Sequence, residues 1–118
     1  MIQYNPYAKV IPIRSEPYKK FIRKQPCLAC NVLIGIQCAH ENFGNSGMGT
    51  KAPDIQVIPL CECCHTAEHN RGHISFWQNH LDLDFGIPDE YIPVIIDAYL
   101  AKACLGYINK FITNGGVF

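Results

Sequence analysis

Two cysteine pairs constrain this chain more than any other feature. Cys27-Leu-Ala-Cys30 and Cys61-Glu-Cys-Cys64 each hold two sulfurs two residues apart, and 30 residues separate the pairs. A two-residue gap lets both sulfurs face one point from a tight turn. Two such turns supply the four thiolates of a tetrahedral Zn2+ site. Zinc binding can contribute on the order of 10 kcal/mol to folding, comparable to the whole stability of a typical domain. The chain has 118 residues, which fits one domain, 1–118, with a modest core. A structural zinc explains how so short a chain holds loop-rich structure together. Four thiolates can also hold an iron–sulfur cluster, and a lone Cys-x-x-Cys can do redox chemistry. Two pairs, each beside a turn, favour zinc. The remaining cysteines fit no disulfide framework, because seven is an odd count. Cys38 and Cys104 read as small buried hydrophobes.

Hydrophobic residues make up 48% of the chain and charged residues 17%, the balance of a globular protein rather than a disordered one. No uninterrupted apolar run reaches the ~18 residues of a spanning helix, and the opening ten residues do not read as a signal peptide. These features predict a soluble, cytoplasmic protein with no membrane partner. The net charge of zero hides an asymmetry. Residues 1–60 carry seven basic and three acidic side chains, and residues 61–118 carry three basic and seven acidic ones. One face of a small domain can therefore meet phosphate while the other repels it.

The local pattern predicts an α+β chain. Ser15 can cap a helix over 16–24, with Pro17 in its first turn and Pro26 beyond its end. Tyr18, Phe21 and Ile22 share one face, and Lys19, Lys20, Arg23 and Lys24 occupy the rest. The β-rich run Val32–Ile36 and the apolar run Ile55–Leu60 flank a glycine-rich loop at 43–50, which suggests a hairpin. A helix should follow from His65 to about Asn70, stopped by Gly72. Residues 74–81 form a short amphipathic segment around Phe76, Trp77 and Leu81. Residues 88–113 form a helical extension, as one long helix or as two broken near Gly106. The loop Gly44–Lys51 is no phosphate-binding P-loop, because its order is Gly-Thr-Lys with Pro53 close behind. Its backbone N–H groups and Lys51 can still contact a DNA phosphate.

The histidines offer chemistry that a structural zinc does not. His65 and His69 lie four residues apart, on one face of a helix, so both can reach a single metal ion. Cys64 and His65 are adjacent and point to different sides, which separates this second metal from the zinc. His40 falls at the end of the first predicted strand, and Asp54 begins the second run. Asp54 can orient His40 or approach the metal. His73 and His80 are weaker candidates, His73 being the stronger because it follows His69 closely.

Together these residues resemble the HNH endonucleases, the ββα-metal or His-Me finger superfamily, and most closely their phage recombination-enhancement (Ref-like) branch. The similarity rests on Tyr18–Cys30, the Ala39-His40 step, Gly47–Lys51 with Asp54, and Pro59-Leu-Cys-Glu-Cys-Cys-His-Thr-Ala-Glu-His69. It spans roughly residues 15–80. It implies a ββα-metal core stapled by zinc at Cys27, Cys30, Cys61 and Cys64. His40 would be the general base, and His65 and His69, with Asp54, would hold a catalytic divalent cation (Mg2+, Mn2+, Ni2+ or Zn2+). Lys19, Lys20, Arg23, Lys24 and Lys51 would contact DNA phosphates. The resemblance also implies a recombination or replication protein as partner, in the cytoplasm of a bacterial host. Two positions depart from the family pattern. Ala39 stands where Asp or His often precedes the base, and Asp54 stands nearest to the mid-motif Asn. Two other readings use the same residues: a zinc-stapled module that binds DNA or protein without cutting, and a redox zinc switch.

Overall fold

Ser15 sets the register of the first element. Its side chain accepts a hydrogen bond from the Tyr18 N–H (3.3 Å), and helix α1 runs Glu16–Arg23 with Pro17 in its first turn. The computed structural model describes residues 14–41, 52–83 and 86–118. The glycine-rich loop and Lys51 lie outside the described residues. Tyr18 and Ile22, on the apolar face of α1, are fully buried against Val57 and Phe111.

Strands β1 (Ile36–His40) and β2 (Val57–Cys61) form a two-stranded antiparallel sheet. Ile36 sits opposite Cys61 and His40 opposite Val57. The first strand therefore begins where the predicted one, Val32–Ile36, ends. The turn of the first cysteine pair explains the shift. The Val32 carbonyl accepts from the Cys27 N–H (2.8 Å), and Asn31 and Gly35 adopt left-handed backbone conformations (φ +67° and +69°) on either side of the run. Leu33 and Ile34 are left 69% and 86% exposed, and Ile36 is the first side chain that can reach the core. Local β-propensity yields here to packing. All five residues of β2 are buried. Pro59 is tolerated because no third strand among the described residues pairs along its outer edge, and its carbonyl accepts from the Leu28 N–H (2.8 Å), tying the first cysteine turn to the sheet.

Helix α2 (Glu62–Arg71) follows β2 without a loop. It starts three residues before the predicted His65, because Cys61 itself caps it: the Cys61 Sγ accepts from the Cys64 N–H (3.5 Å). Gly72 (φ +89°) turns the chain into α3 (His73–His80), which buries Phe76 and Trp77. A single turn of 3-10 helix, Asp89–Tyr91, leads into α4 (Ile92–Thr113), which continues unbroken through Gly106. Ile92, Ile96, Leu100 and Cys104 recur every four residues and lie buried in one stripe against the sheet, α3 and the first cysteine turn. Phe111 extends the contact to α1. Beyond α4, Gly115 is left-handed (φ +84°) and the Gly116 N–H returns to the Phe111 carbonyl (2.8 Å), a glycine-stopped helix end.

The segment Asp89–Thr113 is long and apolar enough, by composition, to cross a membrane, with a mean hydropathy of 1.4. The expectation that no spanning segment exists counted uninterrupted runs, which Asp97, Lys102 and Lys110 break; the average passes over them. In this fold the buried stripe of α4 faces the sheet. Leu100→Ala is expected to lower stability by about 2–5 kcal/mol, as for other fully buried leucines. Leu105→Ala, at a 57% exposed position, should change it by less than about 0.5 kcal/mol. Denaturant unfolding of the zinc-loaded chain measures both.

Candidate metal and catalytic site

The ligand atoms of Cys27, Cys30, Cys61 and Cys64 all lie within 4.8 Å of one another, with the Cys30 and Cys61 sulfurs 3.6 Å apart. Sulfurs bound tetrahedrally at ~2.3 Å lie about 3.8 Å apart, so the four can hold a zinc ion. Both turns aim N–H groups inward: Cys30 N–H at the Cys27 sulfur (3.4 Å) and Cys64 N–H at the Cys61 sulfur (3.5 Å). Burial works against a Cys27 thiolate, but N–H groups of Cys61, Cys30 and Ala29 outweigh it and bring the thiol down to about 7. Burial, with the crowd of sulfurs beside it, pushes Cys64 up. Four thiols this close cannot all ionise without a cation to share. Cys63 points to solvent, Cys38 is half-buried, and Cys104 is buried with its thiol toward the Val57 carbonyl (3.6 Å).

The hairpin's open end carries a second constellation. His40 closes β1, and a turn over Pro53–Gln56 (Gln56 N–H to Pro53 carbonyl, 2.9 Å) presents Asp54 beside it. The His40 Nε2 and Asp54 Oδ1 are 2.9 Å apart. Asp54 is fully buried and its other oxygen accepts the Ser15 N–H (2.7 Å), with Arg14 at 3.6 Å and Lys19 at 4.0 Å. Burial opposes ionisation of Asp54, but His40, Ser15 and Lys19 hold its carboxyl below the ordinary range. An ionised Asp54 assigns the His40 proton to Nε2 and leaves the lone pair on Nδ1. Asp54 thus meets His40 through Oδ1 and the Ser15 N–H through Oδ2, a geometry that fits the first of the two roles open to it in the sequence.

His65 and His69 come together on α2, with their Nε2 atoms 3.2 Å apart. Two nitrogens on one tetrahedral ion at ~2.0–2.1 Å would lie about 3.3 Å apart. Gln37, on β1, accepts from the His65 Nδ1 (2.7 Å), which turns the Nε2 lone pair toward His69. Burial and the neighbouring His69 lower the His65 pKa, a direction that favours the neutral ring a metal ligand would need. Gln37 has no motif to reveal it; its role comes from the strand register alone. His40 and His69 line one cavity of about 320 Å3 together with Glu41, Glu68, Gly72 and His73.

His73, a weaker candidate in the sequence, proves central to that cavity. Its Nδ1 lies 3.1 Å from Glu41 and 3.5 Å from Glu68, and the three form a second group able to hold a metal. The hydrogen bonds to Glu41 and Glu68 outweigh burial and raise His73 to about 10. Burial lifts Glu41 to about 7, against the pull of His73. Burial also opposes ionisation of Glu68, but His73, Glu41 and Trp77 hold it below its usual range. The signal that could have found this group is adjacency: Glu41 follows His40, Glu68 precedes His69, and Gly72 folds His73 back. His80 instead stacks on Phe76 and meets Trp77 edge to face.

The basic residues divide. Lys19 is paired with Glu16 (2.7 Å) and only 19% exposed, and Arg23 lies 4.0 Å from Glu16. Lys20 on α1 and Lys24 at its C-terminal cap are exposed.

The chain belongs to the protein family DUF968, described as of unknown function, whose match covers residues 4–82. That span holds the sheet, both metal-ligand groups and α1 to α3, and leaves α4 outside. Over 54 residues the chain is 37% identical to the uncharacterized protein YdfU of Escherichia coli (strain K12), a stretch that is 46% of this chain and 16% of that relative. No solved structure matches.

Cys61→Ser is expected to abolish stoichiometric zinc and cooperative thermal unfolding together, because zinc binding and folding are linked; a variant that melts like wild type without zinc contradicts this. A second expectation concerns pH. A histidine with a lowered folded pKa refuses a proton that the unfolded chain accepts, so stability falls as pH drops below the ordinary value of ~6.5. Between about pH 7.5 and about pH 5.5, wild type should lose more stability than His65→Gln. Parallel curves for the two proteins would contradict it.

Proposed function

We propose that this member of the family is a metal-dependent DNA endonuclease or nickase, hydrolysing phosphodiester bonds on an HNH-type ββα core. The observation that carries the reading is the His40–Asp54 pair: an imidazole held by a fully buried carboxylate at the mouth of a cavity shared with His69. His40 Nδ1 takes a proton from water, and Asp54 stabilises the imidazolium that forms. The activated water attacks phosphorus and the 3′ oxygen leaves. His65 and His69 would hold a divalent cation (Mg2+, Mn2+, Ni2+ or Zn2+), which would supply positive charge to the phosphodiester group. Lys20, Arg23 and Lys24 on the exposed face of α1 would position the duplex through its phosphates, with little reading of bases. A recombination or replication protein would bring the enzyme to its substrate.

A second reading is a zinc-stapled module that binds DNA or protein without cutting it. Ala39 favours it: the residue before His40 is 99% buried in the core and offers no ligand. Nicking of supercoiled plasmid across divalent cations separates the two. The expected result is metal-dependent nicking by wild type, reduced by about 10²- to 10⁴-fold in His40→Ala, with zinc content and melting temperature retained. Absence of nicking in all of Mg2+, Mn2+, Ni2+ and Zn2+ sinks the endonuclease reading.

A further inference from the structure

We propose that Glu41, Glu68 and His73 form a divalent-cation site separate from the cysteine cluster and from the His65–His69 pair. The three residues come from three places: just after β1, the body of α2 and the start of α3. Their ligand atoms lie within 4.8 Å of one another. The His73 Nδ1 to carboxylate distances, 3.1 and 3.5 Å, match the roughly 3 Å separation of donors that share an ion at ~2.0–2.2 Å.

An independent feature points to a ligand. Glu41 is 97% buried, yet its Oε1 has no hydrogen-bond partner among the described residues. A buried carboxylate oxygen left unpaired is costly. Glu41 and both other members line the cavity of about 320 Å3, which sets the group beside space for a cation. An ion binding here would displace the His73 Nδ1 proton, leaving two carboxylates whose charges one divalent cation balances.

Two neighbouring groups would support ligation once that proton is displaced. Trp77 donates its Nε1–H to the Glu68 Oε2 and fixes that carboxylate. With Nδ1 on the ion, the His73 Nε2–H would face Asp97 Oδ1, now 3.8 Å away, the outer carboxylate that metal-bound imidazoles commonly engage. The donor set, two oxygens and one nitrogen, is harder than four sulfurs. It accepts a cation of the Mn2+ type, and also Zn2+, which N/O sites bind more tightly. Glu41 adjoins His40 and Glu68 adjoins His69, so the ion would share their cavity; the inference itself needs no nuclease activity.

The test reads binding, not cleavage. The full chain carrying zinc at the cysteines and the double substitution His65→Ala/His69→Ala is titrated with Mn2+, followed by electron paramagnetic resonance, and in parallel with Zn2+. The expected result is one further ion per chain, with affinity lowered at least tenfold by Glu41→Gln and by His73→Gln. Circular dichroism and one retained zinc identify which variants fold, and His73, 29% exposed, provides the substitution less prone to disturb the core. Failure of the double variant to take up either ion overturns the proposal. So does unchanged affinity in a folded Glu41→Gln or His73→Gln chain.

Discussion

Everything in this structure depends on two chain segments, 30 residues apart, meeting at four sulfur atoms. A two-stranded sheet is marginal in water on its own. Here the first cysteine turn lies against β2 through Leu28 and Pro59, and the second turn is the junction of β2 with α2. Cys61 belongs to both elements: it is the last residue of the strand and the cap of the helix. An ion at this point would therefore fix the angle between strand and helix, and with it every side chain those elements project.

That angle decides which groups can meet. β1 projects Gln37 toward His65 and places His40 near α2, while the turn before β2 delivers Asp54. Helix α1 enters the site from its capped end. Ser15 caps the helix with its side chain and binds Asp54 with its backbone N–H. The basic face and the His40–Asp54 pair are thus parts of one rigid arrangement. Helix α4 closes the opposite side and covers the sheet with an apolar stripe.

The cysteine spacing made the cluster legible from sequence, because a two-residue gap permits few geometries. The i, i+4 spacing did the same for His65 and His69. Strand placement was less legible. Val32–Ile36 has the composition of a strand, but residues 27–32 are consumed by the cysteine turn and Gly35 must redirect the chain first. The start of α2 was misplaced because a thiol, not a Ser or Asp, provides the cap. Glu41, Glu68 and His73 were legible only as neighbours of better candidates; Gly72, by ending one helix and starting the next, carries His73 back to the two carboxylates. Lys19 reads as a phosphate contact in sequence, yet Glu16 and Asp54 draw it inward.

X-ray absorption at the zinc edge of the chain loaded with one equivalent of zinc tests the central claim most directly. The account predicts a single shell of four sulfurs at about 2.3 Å. A shell containing nitrogen at about 2.0 Å would mean that a histidine replaces a cysteine, and the arrangement of strand, helix and imidazoles described above would not stand.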